Sequence, residues 1–305
     1  MNRNLCLILH RSSFIVHTSY LIPHTSYLTT QYIERCTCKV MRQADMNLPV
    51  RLTNTLVSFC PMQLYFIRHG QSQNNASWDT SGSDHGRVAD PGLTELGHRQ
   101  AACVAQFLTV GNPVFRFAGR DTQNGRGFPI THLYCSMMLR AVQTATPIAR
   151  ALNLQLVAWP DLHEHGGIYT DDAAGVPHGQ TGLTRSQCAE QFPHLQVPDG
   201  LDERGWWQSR PYESDELYRQ RAQRFLSELH AKHGTTDDAV AVVSHGAFYT
   251  QMMRDLLGIT RYDGMNWFAM NNCAISRIDF DHGEPNFLVI AYQNRAEFLP
   301  RNLLS

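Results

Sequence analysis

Two short apolar runs end in the same way, and that shared ending constrains the fold more than any other feature of the chain. Leu64-Tyr65-Phe66-Ile67 leads into Arg68-His69-Gly70, and Val240-Ala241-Val242-Val243 leads into Ser244-His245-Gly246. Runs of four apolar residues bounded by polar residues and glycine read as buried strands. Between and after them, strands and helices alternate. Thr94 to Leu108 is predicted as a helix that Thr94 and Gly97 open, His132 to Cys135 as a strand, and Leu139 to Leu152 as a helix. Leu154 to Ala158 is a strand, Glu213 to His230 a long helix and Ala247 to Leu257 another, with strands at Ala274 to Phe280 and Phe287 to Ala291. Such alternation implies an α/β domain whose mostly parallel sheet is covered by helices on both sides. Ligands of such sheets bind beyond the carboxyl ends of the strands, and both His-Gly pairs sit there.

Residues 1–61 differ from this pattern. Their basic side chains are Arg3, Arg11, Arg35, Lys39, Arg42 and Arg51, and their acids Glu34 and Asp45. That is a net +4, which leaves −5 for the rest of a chain whose total is −1. The segment repeats His17-Thr18-Ser19-Tyr20-Leu21 as His24-Thr25-Ser26-Tyr27-Leu28. It reads as an N-terminal extension that the fold does not need, with the domain spanning 62–305. Organelle targeting by this acid-poor, Ser- and Thr-containing stretch is the alternative. A near-zero net charge gives no reason to propose nucleic acid or an anionic membrane as partner. No run of eighteen apolar residues suggests a membrane span. The eight cysteines include no C-x-x-C pair, which fits reduced thiols and a cytoplasmic setting better than a zinc ribbon or a disulfide framework. A homo-oligomer is compatible with the sequence, which does not specify one.

The polar clusters at the strand ends carry the chemistry. Gly70 admits close approach of phosphate to backbone. The imidazole of His69 is largely neutral near pH 7 and has a free lone pair, which suits it to act as a nucleophile. Arg68 can fork onto two phosphate oxygens. Arg140 falls in the first turn of the helix after Ser136-Met137-Met138, where a cation opposes the helix dipole unless an anion lies between them. His245 can stabilise equatorial phosphoryl oxygens once protonated. Glu164, in Leu162-His163-Glu164-His165-Gly166-Gly167, can protonate a leaving alcohol and then activate water. A zinc reading of His163 and His165 lacks both the His-Glu-x-x-His register and a third ligand.

Taken together, Arg68-His69-Gly70-Gln71-Ser72 with Asn75, Asp90-Pro91-Gly92-Leu93-Thr94 with Gly97 and Gln100-Ala101, Ser136 to Ala145, Glu164 and Ser244-His245-Gly246 resemble the histidine phosphatase superfamily, the phosphoglycerate-mutase-like family, over residues 62–299. The resemblance implies a three-layer αβα sandwich, a phosphohistidine intermediate, a small phosphorylated substrate and no metal or other cofactor. Carried over, it makes His69 the phosphate acceptor, Arg68, Arg140 and His245 the phosphate pocket, Asn75 a phosphate contact and Glu164 the acid. Asn294 with Phe298-Leu299 resembles the family's closing pattern, with Phe in the usual His place. Met137 stands where a proline is usual, and the loop from Gly111 to Pro129, with Arg116, Arg120 and Arg126, is longer than expected. The stretch from Glu164 to Tyr212, with Tyr169, Trp206, Trp207, Arg185, Arg204 and Arg210, is expected to supply most of the substrate pocket, although the Trp pair also suits the packing of a lid. A basic, proline-rich segment of the kind that cofactor-dependent phosphoglycerate mutases use is missing. Hydrolysis is therefore favoured over mutase activity, and over a silent protein-binding regulator of the same fold.

Overall fold

The computed structural model describes residues 9–10, 13–14, 62–83, 86–111, 121–259, 267–280 and 287–305. Most of the N-terminal extension lies outside them, as do Arg116 and Arg120. The chain divides into two units, Met1–Ser58 and Phe59–Ser305. In the first, strand β1 (Leu9–His10) pairs antiparallel with β2 (Ser13–Phe14).

The second unit is built on β3 (Met62–Arg68), β4 (His132–Cys135), β5 (Leu156–Ala158), β8 (Leu195–Gln196, after the hairpin β6, Tyr169–Asp171, and β7, Pro177–Gly179), β9 (Ala239–Ser244), β10 (Ile275–Phe280) and β11 (Leu288–Arg295). They form one seven-stranded sheet in the order β11-β10-β3-β9-β4-β5-β8. The five from β3 to β8 run parallel, and β10 and β11 are antiparallel additions at one side.

The helices are α1 (Gln73–Ser81), α2 (Glu95–Leu108), α3 (Leu139–Leu152), α4 (Arg185–Gln191), α5 (Asp215–His233) and α6 (Gly246–Leu256). Successive strand side chains point to opposite faces. Tyr65 and Ile67 of β3 therefore join Val104, Leu108, Ala141 and Ile148 of α2 and α3 in one buried cluster. Leu64 and Phe66 join Phe225, Leu229, Phe248 and Met252 of α5 and α6 in the other. This is the three-layer αβα arrangement expected from the sequence.

The strand β4 and the helix α3 have the bounds that the sequence predicts. Helix α5 starts at Asp215, where the Ser214 hydroxyl accepts the Leu217 N–H, two residues later than predicted. Helix α1 was not anticipated because it has no apolar face and buries none of its residues; the Ser72 capping box starts it. The loss of proline at Met137 leaves the α3 entry intact: Met138 takes the extended N-cap conformation, and both methionines are buried. Among the described residues, no helix is long and apolar enough to cross a membrane. Cys135, Cys188 and Cys273 are buried free thiols and Cys103 is half-buried.

The N-terminus of α2 presses on the loop that follows β3. A Cβ placed on Gly97 would lie 2.1 Å from the Gln71 carbonyl oxygen, and one on Gly70 would lie 2.6 Å from the Gly97 oxygen. Both contacts are backbone to backbone and cannot relax by rotating a side chain. Gly97→Ala is therefore expected to cost about 1–3 kcal/mol in urea unfolding and to displace the loop that carries His69. An unchanged unfolding midpoint would contradict this packing.

Candidate active site

Parallel pairing sets Arg68 of β3 opposite Ser244 of β9. The residues that follow, His69 and His245, leave the sheet side by side at its carboxyl edge. The His69 N–H donates to the Ser244 carbonyl at 2.9 Å, and the two imidazole centroids are 5.0 Å apart. Both rings are buried.

The hydrogen bonds of His69 assign its tautomer. Its Nδ1 lies 2.6 Å from the Gly70 carbonyl oxygen, which only accepts, so Nδ1 carries the proton. Nε2 accepts from Arg140 Nε at 3.1 Å, so the lone pair points at the guanidinium. Burial, then Arg140 and Arg68, holds the His69 pKa well below its ordinary value. Burial first, then Arg140, does the same for His245. Both are therefore neutral imidazoles in the free protein. His245 Nε2 pairs with the Ser136 hydroxyl at 2.9 Å. Its Nδ1 is buried without a partner, as is Arg68 Nε beside it. A Cβ on Gly246 would lie 3.6 Å from that Arg68 Nε, in ordinary van der Waals contact. Two unpartnered buried nitrogens near a neutral imidazole are groups that an anion could satisfy.

Arg140 is held from behind. Asp90 Oδ1 lies 3.9 Å from Arg140 Nη1 and accepts the Leu139 N–H at 3.0 Å. Burial pushes the Asp90 carboxyl up to about 6, against the pull of Arg140. Thr144 Oγ1 donates to the Arg140 carbonyl and accepts the Gly70 N–H, tying α3 to the loop of His69. The sequence reading named neither Asp90 nor Thr144 as a supporting residue, although both fall within the quoted motifs.

Glu164 lies beyond β5 on a loop anchored from below. Arg221 makes a bidentate pair with Glu213 at 2.7 and 2.6 Å, and its Nη1 donates to the carbonyls of Asp161 and His163. The Glu164 carboxylate accepts the N–H groups of Ala247 and Phe248, in the first turn of α6, and of His165. These three N–H groups fix the direction of the carboxyl group. Asn75 Oδ1 accepts from Ser72 and from Asn272 Nδ2, so its amide nitrogen is the end that can donate to an anion.

Arg68, Asn75 and Glu164 line one cavity of about 340 Å³, together with Trp78, Asp79, Trp267, Met270, Asn272 and Ser305. His69, Arg140 and His245 are not among its walls and lie buried next to Arg68. The substrate segment expected between Glu164 and Tyr212 contributes only Glu164 to this cavity. Trp206 and Trp207 belong to the core, where the positive-φ residues Gly182 and Gly167 let backbone pass against their rings. Arg204 pairs with Asp202, and Arg210 lies over Trp207. Asn294 exchanges hydrogen bonds with Asn271, next to Asn272, and Phe298 stacks on Phe107.

His163 and His165 do not converge on a common point. His163 Nδ1 donates to the Glu164 carbonyl, and His165 Nε2 lies 3.3 Å from Asp215. Among the described residues, the group able to hold a metal ion is His132, His233 and Asp238. It lies at the amino edge of the sheet, away from this site, and His233 is hydrogen-bonded there to both Asp238 and Tyr134.

The model of the histidine phosphatase superfamily (branch 1) matches residues 64–293. The chain is 25% identical over 223 residues to the Photorhabdus laumondii protein named "Probable phosphoglycerate mutase GpmB", covering 72% of this chain and 86% of that one. The protein of the same name from Yersinia pestis is 27% identical over 220 residues, covering 72% and 85%. Among solved structures, mycobacterial glucosyl-3-phosphoglycerate phosphatase aligns with a TM-score of 0.47 at 18% identity, covering 77% of this chain and 99% of that one. No substrate is transferred at that level of similarity.

The imidazole states can be read directly. A depressed pKa keeps a histidine unprotonated until the pH falls well under the ordinary 6.5. Long-range ¹H–¹⁵N spectra are expected to show His69 as the Nδ1–H tautomer, with neither His69 nor His245 titrating as the pH is lowered from 8 to 6. A His69 midpoint at 6.5 or above would contradict the assignment.

Proposed function

The chain belongs to the histidine phosphatase superfamily, and from that premise we propose that it hydrolyses a small phosphomonoester through a phosphohistidine at His69. The observation that carries this reading is the His69 ring itself, with its Nδ1 proton fixed on Gly70 and its Nε2 lone pair turned toward buried cations.

In this reading the phosphoryl group enters among Arg68, Arg140, His245 and Asn75. Arg140 Nε leaves His69 for a phosphoryl oxygen, which frees the lone pair. Nε2 attacks phosphorus, the bond from phosphorus to the alcohol oxygen breaks, and Glu164 gives that oxygen its proton. The Gly70 carbonyl supports the positive charge that the ring gains. A water then attacks phosphorus, the P–N bond breaks, Glu164 takes the water's proton, and inorganic phosphate leaves. The guanidinium groups and His245 Nδ1 stabilise the equatorial oxygens in both steps. No step calls for a metal.

A second reading, phosphoryl transfer between positions of phosphoglycerate, is favoured by the names of the relatives at 25% and 27% identity. Interconversion of phosphoglycerates that depends on 2,3-bisphosphoglycerate would select it.

Protein treated with EDTA and mixed with a ³²P-labelled phosphomonoester is expected to take up acid-labile label, and His69→Ala is expected to take up none and to lose turnover. Label retained in that variant, or a rate that only added zinc or magnesium restores, would overturn the proposal.

The role of Glu164 is separable from that of His69. An alkoxide needs a proton to leave and a nitrophenolate does not. Glu164→Gln is expected to slow single-turnover phosphorylation by an alkyl phosphate by about 10² to 10⁴, and phosphorylation by p-nitrophenyl phosphate far less. Equal losses would leave Glu164 with a positioning role only.

A further inference from the structure

The cavity wall beyond the phosphate pocket has a composition of its own. Of the five tryptophans, Trp159, Trp206 and Trp207 are buried, while Trp78 is 51% and Trp267 63% exposed. Both exposed indoles line the cavity that holds Arg68 and Glu164. They come from separate parts of the chain: Trp78 from α1, a helix that buries none of its own residues, and Trp267 from the segment before β10. Large indoles left open to water in one concave site supply flat apolar area for a ligand.

The charges on the same wall narrow the ligand further. Among the described residues that line it, Arg68 is the one cation. Asp79 and Glu164 are its side-chain carboxylates, and the Asn75 and Asn272 side chains are neutral. Asp79 is held by Gln71 Nε2 at 3.3 Å. A substrate whose leaving group carried its own carboxylate would meet Asp79 and Glu164, and among the described lining residues only Arg68, which the phosphate engages, could offset them. Such like-charge contact selects against a ligand as effectively as a good contact selects for one. A volume of about 340 Å³ is at the lower end for small-molecule sites, which run from about 300 to 1,000 Å³.

We infer that this site takes the phosphate monoester of a small uncharged or cationic alcohol bearing a single aromatic or similarly flat apolar group, which Trp78 and Trp267 contact, and that it rejects phosphorylated carboxylic acids. This rests on the phosphatase reading and deepens it: the phosphate end belongs to the pocket of Arg68, Arg140 and His245, and the selectivity belongs to the two indoles and Asp79.

A pair of non-hydrolysable ligands tests it without relying on turnover. 2-Phenylethylphosphonate and 2-carboxyethylphosphonate share the anionic head and the two-carbon arm and differ at the tip. Titrated calorimetrically into the full-length protein, the phenyl compound is expected to bind at least roughly tenfold more tightly. Trp78→Ala and Trp267→Ala are each expected to reduce that preference by roughly tenfold, the scale of one aromatic stacking contact. Asp79→Asn is expected to strengthen binding of the carboxyethyl compound by roughly two- to fivefold. Urea midpoints establish that the variants are folded. Equal affinity for the two phosphonates, or a preference untouched by either tryptophan substitution, would overturn the inference and leave the phosphatase reading in place. Failure of both compounds to bind would overturn the inference and the site assignment together.

Discussion

The parallel pairing of β3 with β9 is the constraint on which the site depends. Six register pairs, from Gln63 with Ala239 to Arg68 with Ser244, fix the two strands along their length. The side chains of both strands are buried between helical layers, so a one-residue slip would exchange two apolar faces at once. With the register locked, the chain has no freedom in where His69 and His245 emerge. Everything else at the site is brought to that fixed pair: Arg140 by the start of α3, Glu164 by the loop after β5, Asn75 by α1.

The pocket is assembled at an electrostatic cost. Arg68 and Arg140 are both held below their ordinary pKa by burial, the effect that also keeps the two imidazoles neutral. Buried cations are tolerated where charge and hydrogen bonds compensate them. Asp90 stands behind Arg140, and Arg68 donates to the Met270 carbonyl. The compensation is partial, since Arg68 Nε and His245 Nδ1 have no partner. On the proposed reading a dianion would complete it, and the hydrogen bond from Arg140 to His69 would act as a latch that a bound phosphoryl oxygen opens.

Much of this was legible in the sequence, for a physical reason. Buried strands and two-sided helices write their periodicity plainly, and the residues that end them at a ligand site are polar where the pattern demands otherwise. Hence β4, α3 and the positions of His69, His245 and Arg140 could all be read. Helix α1 could not, because Gln73-Asn74-Asn75-Ala76-Ser77 has no apolar face and is held by its cap and by polar contacts such as those of Asn74 with Val88. The choice between binding and packing for the tryptophan pair stayed open for a related reason. Tryptophans next to arginines at Trp206 and Trp207 look like a binding surface, yet burial depends on what packs over them, which is distant in sequence. Trp78 and Trp267 drew no notice because neither sits in a patterned segment. The support of Glu164 by Arg221 and Glu213 was equally hidden, since it spans more than fifty residues and converges only in the folded chain.

The described thiols have a consequence for oxidative stress. Cys273 donates its backbone N–H to the Arg68 carbonyl, which ties it to the end of β3. Burial raises this thiol far above the ordinary cysteine value, as it does Cys135 at the end of β4. Sulfur reacts with peroxide and with alkylating agents as the thiolate, and neither of these residues supplies one. With Cys273 and Cys135 held as neutral thiols, peroxide and alkylating agents find no thiolate to attack at either position.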